Sequence, residues 1–263
     1  MRGRSRYRRS ALPAGSGTRP GDLSLSMLRG DSTQDACARP AGWSVPFAAS
    51  GGDREPGTFG LYLVLTDPAV GYARCAEAAV ACGVRYLQLR MKNAPRERVR
   101  STGARLRVIT RHTSTRFVVN DDADLARELD ADGFLLGQND MPLGEARRRW
   151  PTPGTRFGLS THNVAQAAAA VALAPDYIGV GPIFATPTKA APDPVLGLEG
   201  MAAVIRTSPL TSVAIGGIDA SNLPQVLAHG AVNFAVVRAV NRALDPAAAI
   251  RKLQAIWRQH RRM

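Results

Sequence analysis

From Phe59 onward, short apolar runs recur along the chain, and a longer stretch with apolar residues every third or fourth position follows each. The runs are "LYLVL" (61–65), "YLQL" (86–89), "FVV" (117–119), "GFLL" (133–136), "RFGLS" (156–160), "YIGV" (177–180), "SVAI" (212–215) and "NFAVV" (233–237). Their brevity, their β-branched and aromatic content and the Gly, Asp or Asn beside them predict strands buried on both faces. The intervening patterns predict helices near 71–82, 96–112, 122–129, 143–149, 164–173, 198–206, 221–228 and 246–258. Asn163 with Gln166 has capping-box spacing, Asp245-Pro246 sets an acceptor before a first-turn proline, and Gly83 and Gly230 stand where helices close.

Eight strand–helix pairs in about 200 residues predict one (β/α)8 TIM barrel of the α/β class, over residues 56–263. The rival is an open doubly wound sheet, which favours a GxGxxG turn after its first strand; this chain reads "LTDPAVG" there. Residues 1–55 have no period and are rich in Gly, Pro, Ser and Arg. They read as a disordered, basic, low-complexity arm. The start "MRGRSRYRRS" leads into no apolar core, which argues against a secretory signal; a transit peptide or a start at Met27 also fits.

Composition narrows the class further. No apolar run approaches the ~20 residues of a membrane helix, so no membrane role is expected. The odd cysteine set, Cys37, Cys75 and Cys82, has no metal spacing and suits a reducing, cytoplasmic setting. A net charge of +13 points to anionic partners. The arginine run at 96–111 has no interleaved aromatic residues, which argues for a solvated helix face rather than a nucleic-acid stripe. Small phosphorylated molecules are the expected partners, with no nucleic acid.

In such a barrel the chemistry sits at the carboxyl ends of the strands. After the second strand, alternation points Gln88, Arg90 and Lys92 to one side. The third ends in Asn120-Asp121-Asp122, the fourth in Gly137-Gln138-Asn139-Asp140, and the fifth in Ser160-Thr161-His162. The sixth supplies Thr186, Thr188 and Lys189, the seventh Gly216-Gly217, and the eighth Val237-Arg238. Two acids beside cations suit Mg2+, which takes one or two carboxylates and completes its shell with phosphate and water. A Gly-Gly turn leaves backbone N–H groups open to a second phosphate. Asp121 and Asp140 also suit caps for the helices that follow them, and His162 suits a loop contact.

The segments "YLQLRMK", "VVNDDADLA", "ADGFLLGQNDMPLGEAR", "FGLSTHN", "DYIGVGPIFATPTK", "LGLEG", "VAIGGI" and "FAVVRAV" together resemble the thiamine phosphate synthase family, in family order from Leu61 to Val240. The resemblance implies condensation of a hydroxymethylpyrimidine diphosphate with a hydroxyethylthiazole phosphate, giving thiamine phosphate and pyrophosphate. It implies Mg2+ on Asp121 and Asp140, and diphosphate contacts from Gln88, Arg90, Lys92, Asn120 and Lys189. Ser160 would lie near the reacting pyrimidine, and Ser160, Lys189 and Arg90 would serve catalysis. Thr186 and Thr188 would face the thiazole phosphate, which would rest on Gly216, Gly217, Val237 and Arg238. A homo-oligomer is compatible with the pattern. Met91, Leu135, Asn139 and Arg238 stand where the family more often has Glu, His, Glu and Ser. Two alternatives share the barrel: a thiazole tautomerase with His162 as acid/base, and an inactive ligand-binding barrel.

Overall fold

The computed structural model describes residues 57–188 and 193–262. The expected arm, residues 1–55, and the expected phosphate ligand Lys189 lie outside the described residues. The chain runs β1 (Leu61–Leu65), α1 (Tyr72–Ala81), β2 (Tyr86–Leu89), α2 (Arg96–Thr110), β3 (Arg116–Asn120), α3 (Ala123–Glu128), β4 (Gly133–Leu136) and α4 (Leu143–Arg149). It continues β5 (Arg156–Thr161), α5 (Val164–Leu173), β6 (Tyr177–Val180), α6 (Gly197–Thr207), β7 (Ser212–Ala214), α7 (Leu223–Ala228), β8 (Phe234–Val236), α8 (Arg238–Asn241) and α9 (Pro246–His260). All eight strands are parallel and close in sequence order, β1 pairing with β8, which gives the expected TIM barrel.

The period-2 alternation of the strands sorts two cores. Leu61, Leu63 and Leu65 of β1 face the helices and join the outer core with Leu87, Leu89, Phe117, Val119, Phe134 and Leu136. Tyr62 and Val64 face inward and pack with Tyr86, Val118, Tyr177, Val213 and Ala235 inside the barrel. In-register pairing of Tyr62 with Tyr86 and Val64 with Gln88 stacks the inward residues in layers. Helix boundaries obey the capping signals: Asn163 accepts from Gln166 N at 2.8 Å, and Asp245 accepts from Ala248 N at 2.9 Å. The Gln166 side chain reaches back to His162 N at 2.7 Å, one residue earlier than a capping box would place it.

Two features differ from the sequence-based expectation. β7 and β8 are shorter than expected; β7 ends where the chain turns away towards Gly216, whose φ is 109°. α8, of four residues, was not foreseen; it is too short to show a helical period. Its Asn241 is buried, accepts from Thr66 N at 2.9 Å and donates to Val64 O at 2.8 Å, which closes β1 against the end of β8.

At the opposite end of the barrel, a polar residue before each of three even strands ties down the start of an adjacent odd one. Asp132 accepts from Phe117 N at 2.7 Å and Asp176 from Phe157 N at 2.8 Å. Asn233, fully buried, accepts from Phe59 N and Gly60 N at 2.7 and 3.0 Å and donates to Gly57 O at 2.8 Å. The basic face of α2 is internally neutralised, since Arg96, Arg100, Arg107 and Arg111 each pair with Asp or Glu. That agrees with a solvated face. Among the described residues, Cys75 and Cys82 are free thiols and no helix is long and apolar enough to cross a membrane.

Asn233→Ala is expected to lower stability by about 2–3 kcal/mol, since it strands buried backbone groups of β1. That corresponds to a melting temperature roughly 5–10 °C lower. A thermal unfolding scan with an unchanged midpoint would refute the clasp.

Candidate active site at the carboxyl ends of the strands

A cavity of about 320 Å³ opens at the carboxyl end of the barrel. Its lining includes Gln88, Arg90, Asn120, Ser160, Thr186, Thr188, Gly216, Gly217, Val237 and Arg238, contributed by six strands and the loops after them. All ten are residues the sequence singled out. Lys92, Asp121 and Asp140 stand beside this cavity rather than in its lining, at the rim between β2, β3 and β4.

The floor is a part of the site that strand-end reasoning missed. Tyr62 and Tyr177 line it, their hydroxyls 3.1 Å apart, with Tyr86 stacked on Tyr62 beneath. Their inward parity on β1 and β6 was legible, but they lie well below the strand ends. Burial pushes both phenols well above their usual range, the neighbouring tyrosines adding to the rise for Tyr62, so both remain neutral. Gly158 on β5 makes the floor feasible: a Cβ there would come within 2.4 Å of the Tyr177 ring and 2.7 Å of Leu135.

Above the floor, Gln88 is 1% exposed and donates to Asn120 Oδ1 at 2.6 Å. Its own carbonyl, Oε1, is buried with no hydrogen-bond partner. A buried unpaired amide oxygen costs about 1–3 kcal/mol. In a cavity lining it is a ready acceptor for a ligand N–H.

The acid pair arises from how β3 ends. Asp121 adopts a left-handed backbone (φ 62°) and its N–H bonds to Leu135 O at 2.9 Å, extending the β3–β4 ladder. Asp122, not Asp121, caps α3 through Leu125 N at 2.8 Å. α4 starts at Pro142 with no side-chain cap, and Asp140 Oδ2 instead accepts from Gly137 N at 2.6 Å. Neither acid is used as a helix cap. Their carboxyl groups lie within hydrogen-bonding reach of each other, and Lys92 pairs with Asp121. Burial holds Asp121 above the usual carboxylate range; Asp140 reinforces the rise and Lys92 opposes it. Arg90 is lowered by burial, with Asp121 opposing.

The acid pair fits a hard divalent ion. Two facing carboxylates repel, and a cation between them would remove the repulsion. Among the described residues no group of three or more His, Cys, Asp or Glu converges, so the pair suits an ion that completes its shell with substrate oxygens rather than a closed protein cage.

Across the cavity lies a second polar corner, built around two glycines. Gly216 and Gly217 have φ of 109° and 65°, and a Cβ on either would strike Pro182 or Phe184 at 2.5 and 2.7 Å. Only glycine lets the two loops meet there. Thr186 and Thr188 hydroxyls are 3.0 Å apart at the same edge. Arg238 begins α8 beside them, and Asp219 also lines this corner. Hydrogen bonds from Ser221 hold Asp219 below the usual carboxylate range, and Arg238 adds to the effect.

A closed (β/α)8 barrel whose polar and charged side chains gather around one cavity at the carboxyl ends of the strands has the layout of a barrel enzyme. The chain belongs to the thiamine monophosphate synthase family, whose pattern it matches over residues 61–240. It is 44% identical to the thiamine-phosphate synthase of Gloeobacter violaceus over 206 residues, 78% of this chain and 60% of that protein. It is 40% identical to that of Chloroflexus aurantiacus over 200 residues, 74% of this chain and 91% of the relative. The chain thus spans only about 60% of the first relative and 55% of a Synechocystis one that is 42% identical over 73% of this chain. Among solved structures, the thiamine phosphate pyrophosphorylase of Pyrococcus furiosus superposes with a TM-score of 0.71 at 31% identity, covering 79% of this chain and 99% of that one. The 3-hexulose-6-phosphate synthase structure, at 18% identity and TM-score 0.54 over 74% of this chain and 99% of that one, shares the fold.

Because Asp121 is raised, its ionisation opposes folding: stability falls as pH rises from the ordinary carboxylate range through its folded value. Asp140→Asn removes the like charge. Its ligand-free melting temperature at pH 7, in metal-free buffer, is expected to equal or exceed that of the parent by a few degrees, about 2–4 °C per kcal/mol. A drop would show that Asp140 is there for stability.

Proposed function

We propose that the protein joins a pyrimidine-methyl diphosphate to a thiazole phosphate, forming thiamine phosphate and releasing pyrophosphate. The observation that carries this reading is the pairing of an acid–cation rim with a glycine phosphate corner across one small cavity. A reaction between a diphosphate and a monophosphate ester needs two such anion sites at a separation set by the two rings.

The floor and Gln88 suit the pyrimidine. Its ring would lie among Tyr62, Val64, Leu135 and Tyr177, and its exocyclic amine would donate to Gln88 Oε1, ending that atom's isolation. This moves Gln88 from the diphosphate, where the family resemblance set it, to ring recognition. Arg90 and Lys92 rise from the same strand towards the rim, where the leaving diphosphate would sit. The methylene C–O bond breaks, the electron pair leaves with pyrophosphate, and the thiazole nitrogen captures the ring-stabilised cation. The neutral phenols offer dipoles and π-faces to that cation without consuming a proton. Thr186, Thr188, Gly216, Gly217 and Arg238 hold the second phosphate, and Ser160 lies between the two substrates. Positioning and charge stabilisation are the means; no protein nucleophile is required.

Asp121 and Asp140 would hold Mg2+, which when bound neutralises the charge growing on the pyrophosphate. Lys92, now paired to Asp121, is freed to reach a phosphate once a cation shares that carboxylate. Lys189 is proposed as a further diphosphate contact. The setting is proposed to be cytoplasmic.

Protein incubated with Mg2+ and both substrates is expected to form thiamine phosphate, and EDTA to stop it; folded protein that yields no product would reject the reading. Asp140→Asn is expected to lower kcat at least about 100-fold, the scale of losing metal charge stabilisation. Gln88→Leu is expected to weaken pyrimidine diphosphate binding about tenfold or more, the cost of one lost hydrogen bond to a buried group, read as KM.

A further inference from the structure

The loop from Gly181 to Leu196 carries Thr186 and Thr188, yet few backbone bonds anchor its described part. Ile183 N reaches Ile215 O at 2.9 Å, Phe184 N reaches Gly216 O at 3.0 Å, and Leu196 N reaches Pro182 O at 2.8 Å. Between these bonds, Thr188 N donates to the Thr186 hydroxyl at 3.3 Å. A side chain from the neighbouring strand end supplies further anchorage. His162 follows β5, and its own N–H is fixed by Gln166. Its ring is mostly buried; Nδ1 lies 2.6 Å from Gly181 O and Nε2 lies 3.4 Å from Asp193 Oδ2.

Gly181 opens the loop and Asp193 lies on its return towards α6. One ring therefore touches both legs. A carbonyl oxygen only accepts, so Nδ1 must carry the proton. Nε2 faces the Asp193 carboxylate from the other side, and this second contact is a hydrogen bond when Nε2 carries a proton as well. Ser160, two residues before His162, lines the cavity, so the strap starts from the catalytic rim.

We infer that His162 is a positioning residue: it ties the entry of the β6–α6 loop to its return and so sets the two threonines against the phosphate. The inference rests on the proposed activity for its kinetic effect and on the geometry alone for its structural effect. It assigns His162 no proton transfer to substrate. With Nδ1 engaged by a backbone carbonyl, the ring is better placed to hold the loop than to shuttle protons as a tautomerase would require.

The test has two arms. In the full-length, ligand-free protein, hydrogen–deuterium exchange is read at Thr188 and Leu196, with Ile178 inside β6 as the control. His162→Ala is expected to speed exchange at the first two and leave Ile178 unchanged. His162→Asn, whose amide N–H can replace Nδ1–H, is expected to restore protection. In the kinetic arm, His162→Ala is expected to raise KM for the thiazole phosphate about tenfold, the worth of one hydrogen bond of about 1.4 kcal/mol, with kcat changed much less. His162→Asn is expected to recover most of it. Faster exchange without any parent activity would sink the proposed reaction and keep the strap. Unchanged exchange in His162→Ala, or a loss in kcat at constant KM, would overturn the strap; an unfolded alanine variant leaves the asparagine one to decide, through loop protection equal to the parent's or lost.

Discussion

A closed, eight-stranded parallel sheet has an interior that water cannot enter freely, and this constraint governs the molecule. Every inward side chain below the rim must be apolar or have its polar atoms satisfied. Val64, Val118, Val213 and Ala235 meet the first condition, and the Tyr62–Tyr177 hydroxyl pair meets the second. Charged groups are thereby confined to the two ends of the barrel, where strands give way to loops. One exception, the unpaired carbonyl of Gln88, lies at the boundary between the dry floor and the charged rim. Such a cost is tolerated where a ligand removes it.

The rim itself is an electrostatic compromise. Asp121 and Asp140 are held together although burial and the neighbouring Asp140 disfavour the Asp121 charge, and the left-handed backbone at Asp121 adds strain. Lys92 relieves the pair only in part. Stability would be better served by an amide or an apolar residue; the proposed cation and phosphate oxygens would make the arrangement favourable. Across the cavity the corner proposed for the second phosphate relies on backbone geometry. Gly216 and Gly217 let the β6 and β7 loops touch, which opens main-chain groups to the cavity without a bulky side chain in the way.

Much of this was legible before any coordinates. Six of eight strands match the expected bounds or extend them by a residue or two, because apolar runs flanked by turn residues are a strong local signal. Ten of the cavity-lining residues were reachable from the polar and glycine positions at or just beyond the carboxyl end of each strand. The short helix Arg238–Asn241 was not, since four residues cannot display a period of 3.6. Nor were the clasps of Asp132, Asp176 and Asn233, whose partners lie 15 to 176 positions away.

Local chemistry by itself determined the order of strands and helices, their facing, and the chemical types delivered to the rim, because alternation and capping are short-range properties. Closure of the sheet decided the rest. It chose Asp122 rather than Asp121 as the helix cap, turned two acids 19 positions apart towards each other, brought His162 between Gly181 and Asp193, and buried the Gln88 carbonyl without a partner. These depend on the register of neighbouring strands, which fixes where each strand ends in space and is written in no single segment of the chain.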